Sequence, residues 1–219
     1  MKTLPWVEGN RKLRDTGSIG WGIPADEVPS YAVRFHILGL PLTEGQIGLA
    51  LAKFDRVSRK LKTFKTCPGA GDCRLICYAK KGSYRYPCVI HKRLLALAWT
   101  FTDGWVGKAI DDLSKTKMKA VRIHDSGDFY SQEYLRNWFE IADCHPEKLF
   151  YAYSKSLHLD WTEKPKNFIL AQSVGGKYDS LMKERLPIAY VVAKGWIGCS
   201  ENSDKEILAG ETRVYMEKH

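Results

Sequence analysis

The sequence KAVRIHDSGDF, residues 119–129, has the pattern of an apolar strand that ends in a glycine turn. It is followed by SQEYLRNWFEIADCHP, residues 131–146, whose apolar spacing predicts an amphipathic helix with Ser131 as its N-cap. KLFYAYSKS, residues 148–156, then predicts a second strand. A strand, a helix and a strand in this order are typical of two parallel strands joined by a helical crossover.

Towards the C-terminus the same order of elements repeats. NFILAQSVGG (residues 167–176) and PIAYVVAKG (residues 187–195) predict two more strands, and SLMKERL (residues 180–186) predicts a helix between them. The predicted strands are nearly continuous apolar runs, as expected of strands that are covered on both faces. The sequence therefore predicts an α/β fold with a mostly parallel sheet.

The N-terminal half predicts a more varied set of elements. Residues 31–38 alternate and are rich in β-branched and aromatic side chains, so they predict a strand. Residues 43–61 predict a helix with Thr43 as its cap, and residues 62–66 predict a short strand. Residues 89–115 predict a helix that is interrupted near two glycines.

The domain organisation follows from composition and length. The first 30 residues are rich in glycine and proline and predict an irregular segment, so we expect one domain over residues 1–219, with its α/β part at residues 31–219. The N-terminus soon becomes charged, unlike an export signal, and no apolar stretch is long enough to cross a bilayer. We therefore expect a soluble, cytoplasmic protein.

Four of the six cysteines lie in TCPGAGDCRLICYAKKGSYRYPC, residues 66–88. Clustered thiols in a chain without an export signal favour metal ligands or redox groups over disulfides. One alternative is a structural zinc site, in which Cys88 or His91 completes the set of ligands, although the paired spacing usual for zinc is absent.

The other alternative is an iron–sulfur site. Cys67, Cys73 and Cys77 are separated by five and three residues, and one loop can supply three thiolates to a 4Fe–4S cluster. Gly69 and Gly71 allow the loop to wrap closely around such a cluster. The fourth iron is then either open or bound by a distant residue. We expect the three cysteines to be metal ligands.

Polar residues gather where the predicted strands end. The end of the first strong strand carries His124, Ser126, Gly127 and Asp128, and the end of the next carries Lys155. Since ligands of parallel α/β proteins bind at the carboxyl ends of the strands, we expect these five residues to contact a cofactor. The alternative is that an acidic residue of the turn caps the next helix while the glycine only makes the turn.

Three thiols on one loop, followed by alternating strands and helices, resemble the general design of radical S-adenosylmethionine (SAM) enzymes. In that superfamily the open iron binds the amino and carboxylate groups of SAM, and a glycine-acid motif after the second strand holds the amino group. The resemblance implies a partial (β/α) barrel, SAM as a second cofactor, and this role for Ser126, Gly127 and Asp128. The spacing of five and three residues departs from the usual three and two.

A second resemblance rests on TCPGAGDCRLICYAKKGSY, RIHDSGDFYSQEYLRNWFEIA and FYAYSKS, which together span roughly residues 62–176. These blocks resemble a phage-encoded family called gene product 88-like. The resemblance implies a virus-encoded protein in the bacterial host cytoplasm and implies no particular reaction. Some relatives carry further cysteines near the C-terminus, which makes Cys199 the first choice for a fourth ligand, ahead of Cys88 and His91.

The sequence leaves three functions open. The first is an iron–sulfur protein that acts as a radical-SAM-like enzyme on an unknown substrate. The second is a non-enzymatic cluster carrier or redox sensor with a fourth protein ligand. The third is a zinc-stabilised protein that binds nucleic acid through the basic run at residues 56–65, because the net charge of +9 attracts anions.

Overall fold

The computed structural model describes residues 3–8, 11–192, 199–200 and 202–217. The strands, in chain order, are β1 (Ser18–Trp21), β2 (Glu27–Pro29), β3 (Thr63–Lys65), β4 (Ala120–Ile123), β5 (Leu149–Ser154), β6 (Phe168–Ser173), β7 (Ile188–Val192) and β8 (Arg213–Glu217). The α-helices are α1 (Arg11–Asp15), α2 (Ser30–Leu38), α3 (Glu44–Ser58), α4 (Cys73–Ile76), α5 (Pro87–Trp99), α6 (Trp105–Lys115), α7 (Gln132–Asp143) and α8 (Ser203–Leu208).

Six of the strands form one sheet in the order β1-β4-β5-β6-β7-β8, and every neighbouring pair in it is parallel. The remaining two, β2 and β3, form an antiparallel ribbon. The predicted α/β fold with a mostly parallel sheet is confirmed. Among the described residues β1 and β8 lie at the two edges and do not pair with each other, so the sheet is open and no closed barrel is seen.

The two faces of the sheet are covered differently. Val121 and Ile123 of β4 point into a large core that includes side chains of α2, α3, α5, α6 and α7. Ala120, on the opposite face, belongs to a smaller cluster with Tyr151 of β5 and Ile207 of α8. Because successive side chains of a strand alternate between faces, the charged residue between Val121 and Ile123 lies on the face of the smaller cluster.

Two predicted helices begin at the expected caps. The Oγ1 atom of Thr43 accepts a hydrogen bond from the N–H of Gln46, whose side chain accepts one from the N–H of Thr43, which forms a capping box for α3. Ser131 accepts a hydrogen bond from the N–H of Tyr134 at the start of α7. The predicted break separates α5 from α6 at Gly104, which is the N-cap of α6, whereas Gly107 lies inside α6.

The strand predicted at residues 31–38 was wrong, because this segment forms α2. Val33, His36 and Ile37 are buried at helical spacing, whereas Tyr31 and Phe35 are exposed. Apolar side chains on both faces of the helix hide its period and imitate a strand. Packing against α5 and α3 then overrides the strand propensity of the β-branched and aromatic residues.

Other boundaries also differ from the prediction. The N-terminal segment expected to be irregular contributes β1, whose four residues are all buried at one edge of the main sheet. The helix predicted at residues 180–186 is reduced to a short 3₁₀ turn at Asp179–Leu181. The predicted strand at residues 187–195 is present as β7, but residues 193–195 lie outside the described residues. None of the described helices combines the length and the apolar character needed to span a bilayer.

Candidate functional site

A cavity of about 720 Å³ lies at the carboxyl ends of the strands. The three loop cysteines predicted as metal ligands, Cys67, Cys73 and Cys77, all line it. The five residues predicted to bind a cofactor line it as well: His124, Ser126, Gly127, Asp128 and Lys155. The structure therefore brings all eight residues to the wall of one cavity, although their side chains form different contacts.

The ribbon of β2 and β3 delivers the cysteine loop to this cavity. Thr66 follows β3, and its N–H and hydroxyl both donate to the carbonyl oxygen of Asp26, at 2.8 and 3.0 Å. The N–H of Asp26 donates in turn to the sulfur of Cys67 at 3.3 Å. The carboxylate of Asp26 also pairs with Arg74 at 2.6 Å and with Lys80 at 2.5 Å, on either side of the third cysteine. Asp26 thus fixes both the beginning and the end of the loop.

The loop also packs directly on the turns that follow β5 and β6. Ala70 forms a bridge with Gly176, and the N–H of Lys177 donates to the carbonyl oxygen of Gly69 at 2.9 Å. A Cβ at Gly69 would overlap the carbonyl group of Lys155, so only glycine permits this approach. The three cysteines are therefore held at the sheet edge by backbone contacts.

Burial raises the pKa of two of the three loop thiols, Cys67 and Cys73. Burial, followed by the charge of Asp128, raises the pKa of Cys67 to about 12, against the hydrogen bond from the N–H of Asp26. Burial also raises the pKa of Cys73, which the charge of Lys155 and an N–H donated by Gly71 oppose. Each of these two thiols also responds to the charge of Cys77. The three sulfurs therefore lie close enough to share one electrostatic environment.

The three residues considered as a fourth ligand lie in different places. Cys199 lines the cavity together with the three loop cysteines, and its sulfur lies 3.2 Å from the carbonyl oxygen of Tyr215. Cys88 and His91 lie on α5, both are exposed, and neither lines the cavity. His91 instead contacts His36 of α2, with ring nitrogens 3.1 Å apart. Of the three, only Cys199 lines the cavity.

The described residues contain no close group of side chains of the kind that binds a single metal ion. In the described part of the chain, no three His, Cys, Asp or Glu side chains converge closely enough to hold a single metal ion. Tetrahedral zinc requires such convergence, since all four ligands contact one ion. In a cubane cluster each thiolate binds a different iron, so its ligands lie farther apart.

The side chains of the Ser-Gly-Asp turn after β4 form hydrogen bonds with neighbouring segments of the protein. The hydroxyl of Ser126 donates to the carbonyl oxygen of Ile23 at 2.5 Å. One carboxylate oxygen of Asp128 accepts from Ser154 at 2.7 Å, and the other accepts from the N–H of Lys155 at 2.9 Å. Gly127 has φ +81°, and a Cβ there would meet Ile23. The turn therefore ties β4 to β5 and to the segment after β1.

His124 borders the cavity, but its imidazole ring packs against Phe129 and Tyr134. The indole N–H of Trp21 donates to the hydroxyl of Tyr134 at 3.1 Å, and that hydroxyl lies 3.0 Å from Nε2 of His124. His124 has φ +64°, a left-handed conformation that is uncommon outside glycine, although asparagine, aspartate and histidine adopt it more often than other residues.

His124 is expected to make the protein sensitive to acid. Burial, and then the charge of Arg93, lowers its pKa to about 3, whereas an unfolded histidine titrates near 6.5. Between these values the unfolded chain binds one more proton, so stability is lost as the pH falls. We expect His124 to account for a loss of about 2 kcal/mol between pH 6.5 and pH 5.

Urea unfolding at the two pH values tests this, with His124→Asn as the matched variant because asparagine tolerates the left-handed backbone. The variant should lose about 2 kcal/mol less than the wild type over the same interval. An equal loss in both proteins would show that His124 does not cause the effect.

Sequence reasoning missed the ion pair that supports the end of the cysteine loop. Arg93 of α5 donates to both carboxylate oxygens of Asp125, at 2.6 and 2.7 Å, and both residues are buried. The backbone carbonyl of Asp125 accepts hydrogen bonds from the hydroxyls of Tyr78 and Tyr84. Tyr78 directly follows the third cysteine of the loop. The only sequence signal for this ion pair was a basic residue, Arg93, within an apolar helix. The sequence pattern could not identify its partner, Asp125, which lies 32 residues away.

Lys155 has a direct place in the site. Its ammonium group donates to the hydroxyl of Ser173 at the end of β6, and both residues line the cavity. Its charge lowers the pKa of Cys73 against the effect of burial. Among the five cofactor candidates, Lys155 therefore carries the positive charge that opposes burial at a thiol, whereas the charge of Asp128 acts in the opposite direction.

Comparison with known proteins gives one match. The family described as Gene product 88 matches over residues 33–207, which is well over half of the chain and includes the cysteine loop and the strand ends. No curated protein and no solved structure shows a significant match. The resemblance to radical SAM proteins receives no support from these comparisons. The resemblance to the gene product 88-like proteins is confirmed, and the chain belongs to the Gene product 88 family.

Proposed function

We propose that this chain is an iron–sulfur protein in which Cys67, Cys73 and Cys77 bind a 4Fe–4S cluster. One observation carries the proposal: three thiols of a single loop line one cavity at the carboxyl edge of a parallel sheet. Parallel α/β proteins place their ligands at this edge. A family named after a phage gene product also favours a virus-encoded protein that acts in the reducing cytoplasm of a bacterial host.

The residues around the thiols fit such a cluster. Backbone N–H groups of Asp26 and Gly71 donate to the sulfurs of Cys67 and Cys73, and such donors stabilise the negative charge of ligated sulfur. Lys155 adds a positive charge beside Cys73.

The cavity also has room for a second molecule. Its volume of about 720 Å³ lies within the range of small-molecule sites. An open parallel sheet whose strand order follows the chain, as here, is the arrangement expected of a partial (β/α) barrel. When bound, a 4Fe–4S cluster with an open iron supplies electrons and, together with SAM, hydrogen-atom abstraction. Lys155 and the turn at residues 126–128 would then hold the polar groups of SAM.

A non-enzymatic role is the second candidate, and the position of Cys199 favours it. Cys199 lies in the wall of the same cavity as the three loop thiols. If its sulfur binds the fourth iron, no iron is open to SAM, and the protein carries a cluster or senses redox state. The three-ligand and four-ligand forms therefore differ in their response to SAM.

Metal and sulfide analysis of protein purified without oxygen tests the proposal. We expect iron and acid-labile sulfide at about four of each per chain, with broad visible absorption. Colourless protein that contains zinc and no iron would disprove the proposal. A spectral change of the reduced protein on addition of SAM would assign the three-ligand form, and a response to SAM that appears only in Cys199→Ala would assign the four-ligand form.

A further inference from the structure

Arg122 forms a part of the cavity wall that the cluster proposal does not use. It lies on β4, is only 7% exposed, and lines the cavity together with Lys12 of α1 and Tyr153 of β5. Its position on β4 places it on the face covered by α8. A buried arginine that borders a cavity of this size requires an explanation, because burying a charge is costly unless it is paired.

The ion pair of Arg122 satisfies only part of its guanidinium group. Nη1 donates to Asp204 of α8 at 2.8 Å, and Asp204 also accepts from the hydroxyls of Tyr151 and Tyr153. Nε is buried and has no hydrogen-bond partner among the described residues. In the planar guanidinium group, Nε–H and one N–H of Nη2 point along the same edge, and the bond to Asp204 does not use that edge.

The surroundings hold this edge in place and add positive charge. The guanidinium group of Arg122 lies over the ring of Tyr153, 5.4 Å from its centroid. Burial and then the charge of Arg122 lower the pKa of Lys12, while Asp204, Cys199 and Glu206 act in the opposite direction. Lys12 therefore lies within electrostatic range of Arg122, and both residues line the cavity, as does Cys199.

We propose that Arg122, through its Nε–Nη2 edge, and Lys12 form a subsite for an oxyanion, the carboxylate or phosphate group of a small organic ligand that occupies the cavity. Two parallel N–H donors match two oxygens of such a group, which is why arginine recognises carboxylates and phosphates bidentately. The ligand is thereby oriented with its anionic end at Arg122 and its remainder towards the cysteine loop. This inference goes beyond the proposed cluster and does not depend on iron.

Anion binding to the full chain tests the subsite, with inorganic phosphate and acetate as probes. Isothermal titration calorimetry at constant ionic strength, with chloride as the reference salt, gives the affinity of each. We expect one or both probes to bind, and the preferred probe identifies whether the group is a phosphate or a carboxylate. Binding of neither probe would overturn the inference, whatever the iron content measured in the same sample.

Variants locate the binding. Arg122→Lys keeps the positive charge beside Asp204 but lacks the second donor edge, so binding should weaken at least about tenfold. Lys12→Gln should also weaken binding, and it decides the matter if Arg122→Lys does not fold. Lys92→Gln is the control, because it removes the same charge from an exposed position outside the cavity wall and should leave the affinity unchanged. Unchanged affinity in both cavity variants would show an adventitious ion only.

Discussion

Replacement of Cys67 by alanine is expected to reduce the iron content of anaerobically purified protein from about four per chain to less than one. The sulfur of Cys67 lies at the start of the loop, and the N–H of Asp26 already points at it. A loop that retains two thiolates cannot hold a cubane cluster securely. Iron and sulfide analysis, together with visible absorption, measures the loss.

The chain provides two matched controls for this variant. Cys88 and Cys144 are both exposed, and neither lines the cavity. Cys88→Ala and Cys144→Ala should therefore retain the full iron content under the same conditions. Iron that survives in Cys67→Ala, or that disappears equally from the two controls, would contradict the assignment of the loop as the ligand set.

Replacement of Arg93 by methionine is expected to lower the free energy of unfolding by about 3–5 kcal/mol, because removal of one partner leaves a buried charge uncompensated. Asp125, the partner of Arg93, is only 2% exposed, so its carboxylate is shielded from solvent. Urea unfolding followed by circular dichroism measures the change. The same variant should lose iron, since Tyr78 and Tyr84 bond to the backbone of Asp125.

A second change distinguishes the buried charge from lost packing. Asp125→Asn combined with Arg93→Met removes the unpaired carboxylate, so the double variant should be more stable than Arg93→Met alone. Lys115→Met removes a partner from the exposed pair with Asp111 and should have no measurable effect on stability. An Arg93→Met variant as stable as the wild type would show that the ion pair does not hold β4 to α5.

The repeated strands and helices were predictable from sequence because their periods are local. Residues 119–156 contain a strand, a capped helix and a second strand. In each element the spacing of the apolar residues matches the face that is buried. Residues 31–38 failed because Tyr31 and Phe35 are apolar and yet exposed. A local pattern cannot reveal which of two apolar faces is covered.

The candidate site was predictable in position and less so in detail. The cysteines and the strand ends meet because parallel strands end at one edge. The roles of Ser126 and Asp128 were not predictable, since their partners, Ile23 and Ser154, lie 103 and 26 residues away. The role of Arg122 was not predictable for the same reason. Its partner, Asp204, lies 82 positions further along the chain, so Arg122 has the sequence pattern of an ordinary strand residue.

The backbone contacts of the cysteine loop set an order of events during synthesis. Cys67 leaves the ribosome more than one hundred residues before Gly176, against which the loop packs. Until the turn after β6 has been made, the loop cannot form its backbone contacts with Gly176 and Lys177. The proposed site is therefore complete only after residue 176 has been made, and a nascent chain stalled before that residue cannot present it to a metal donor.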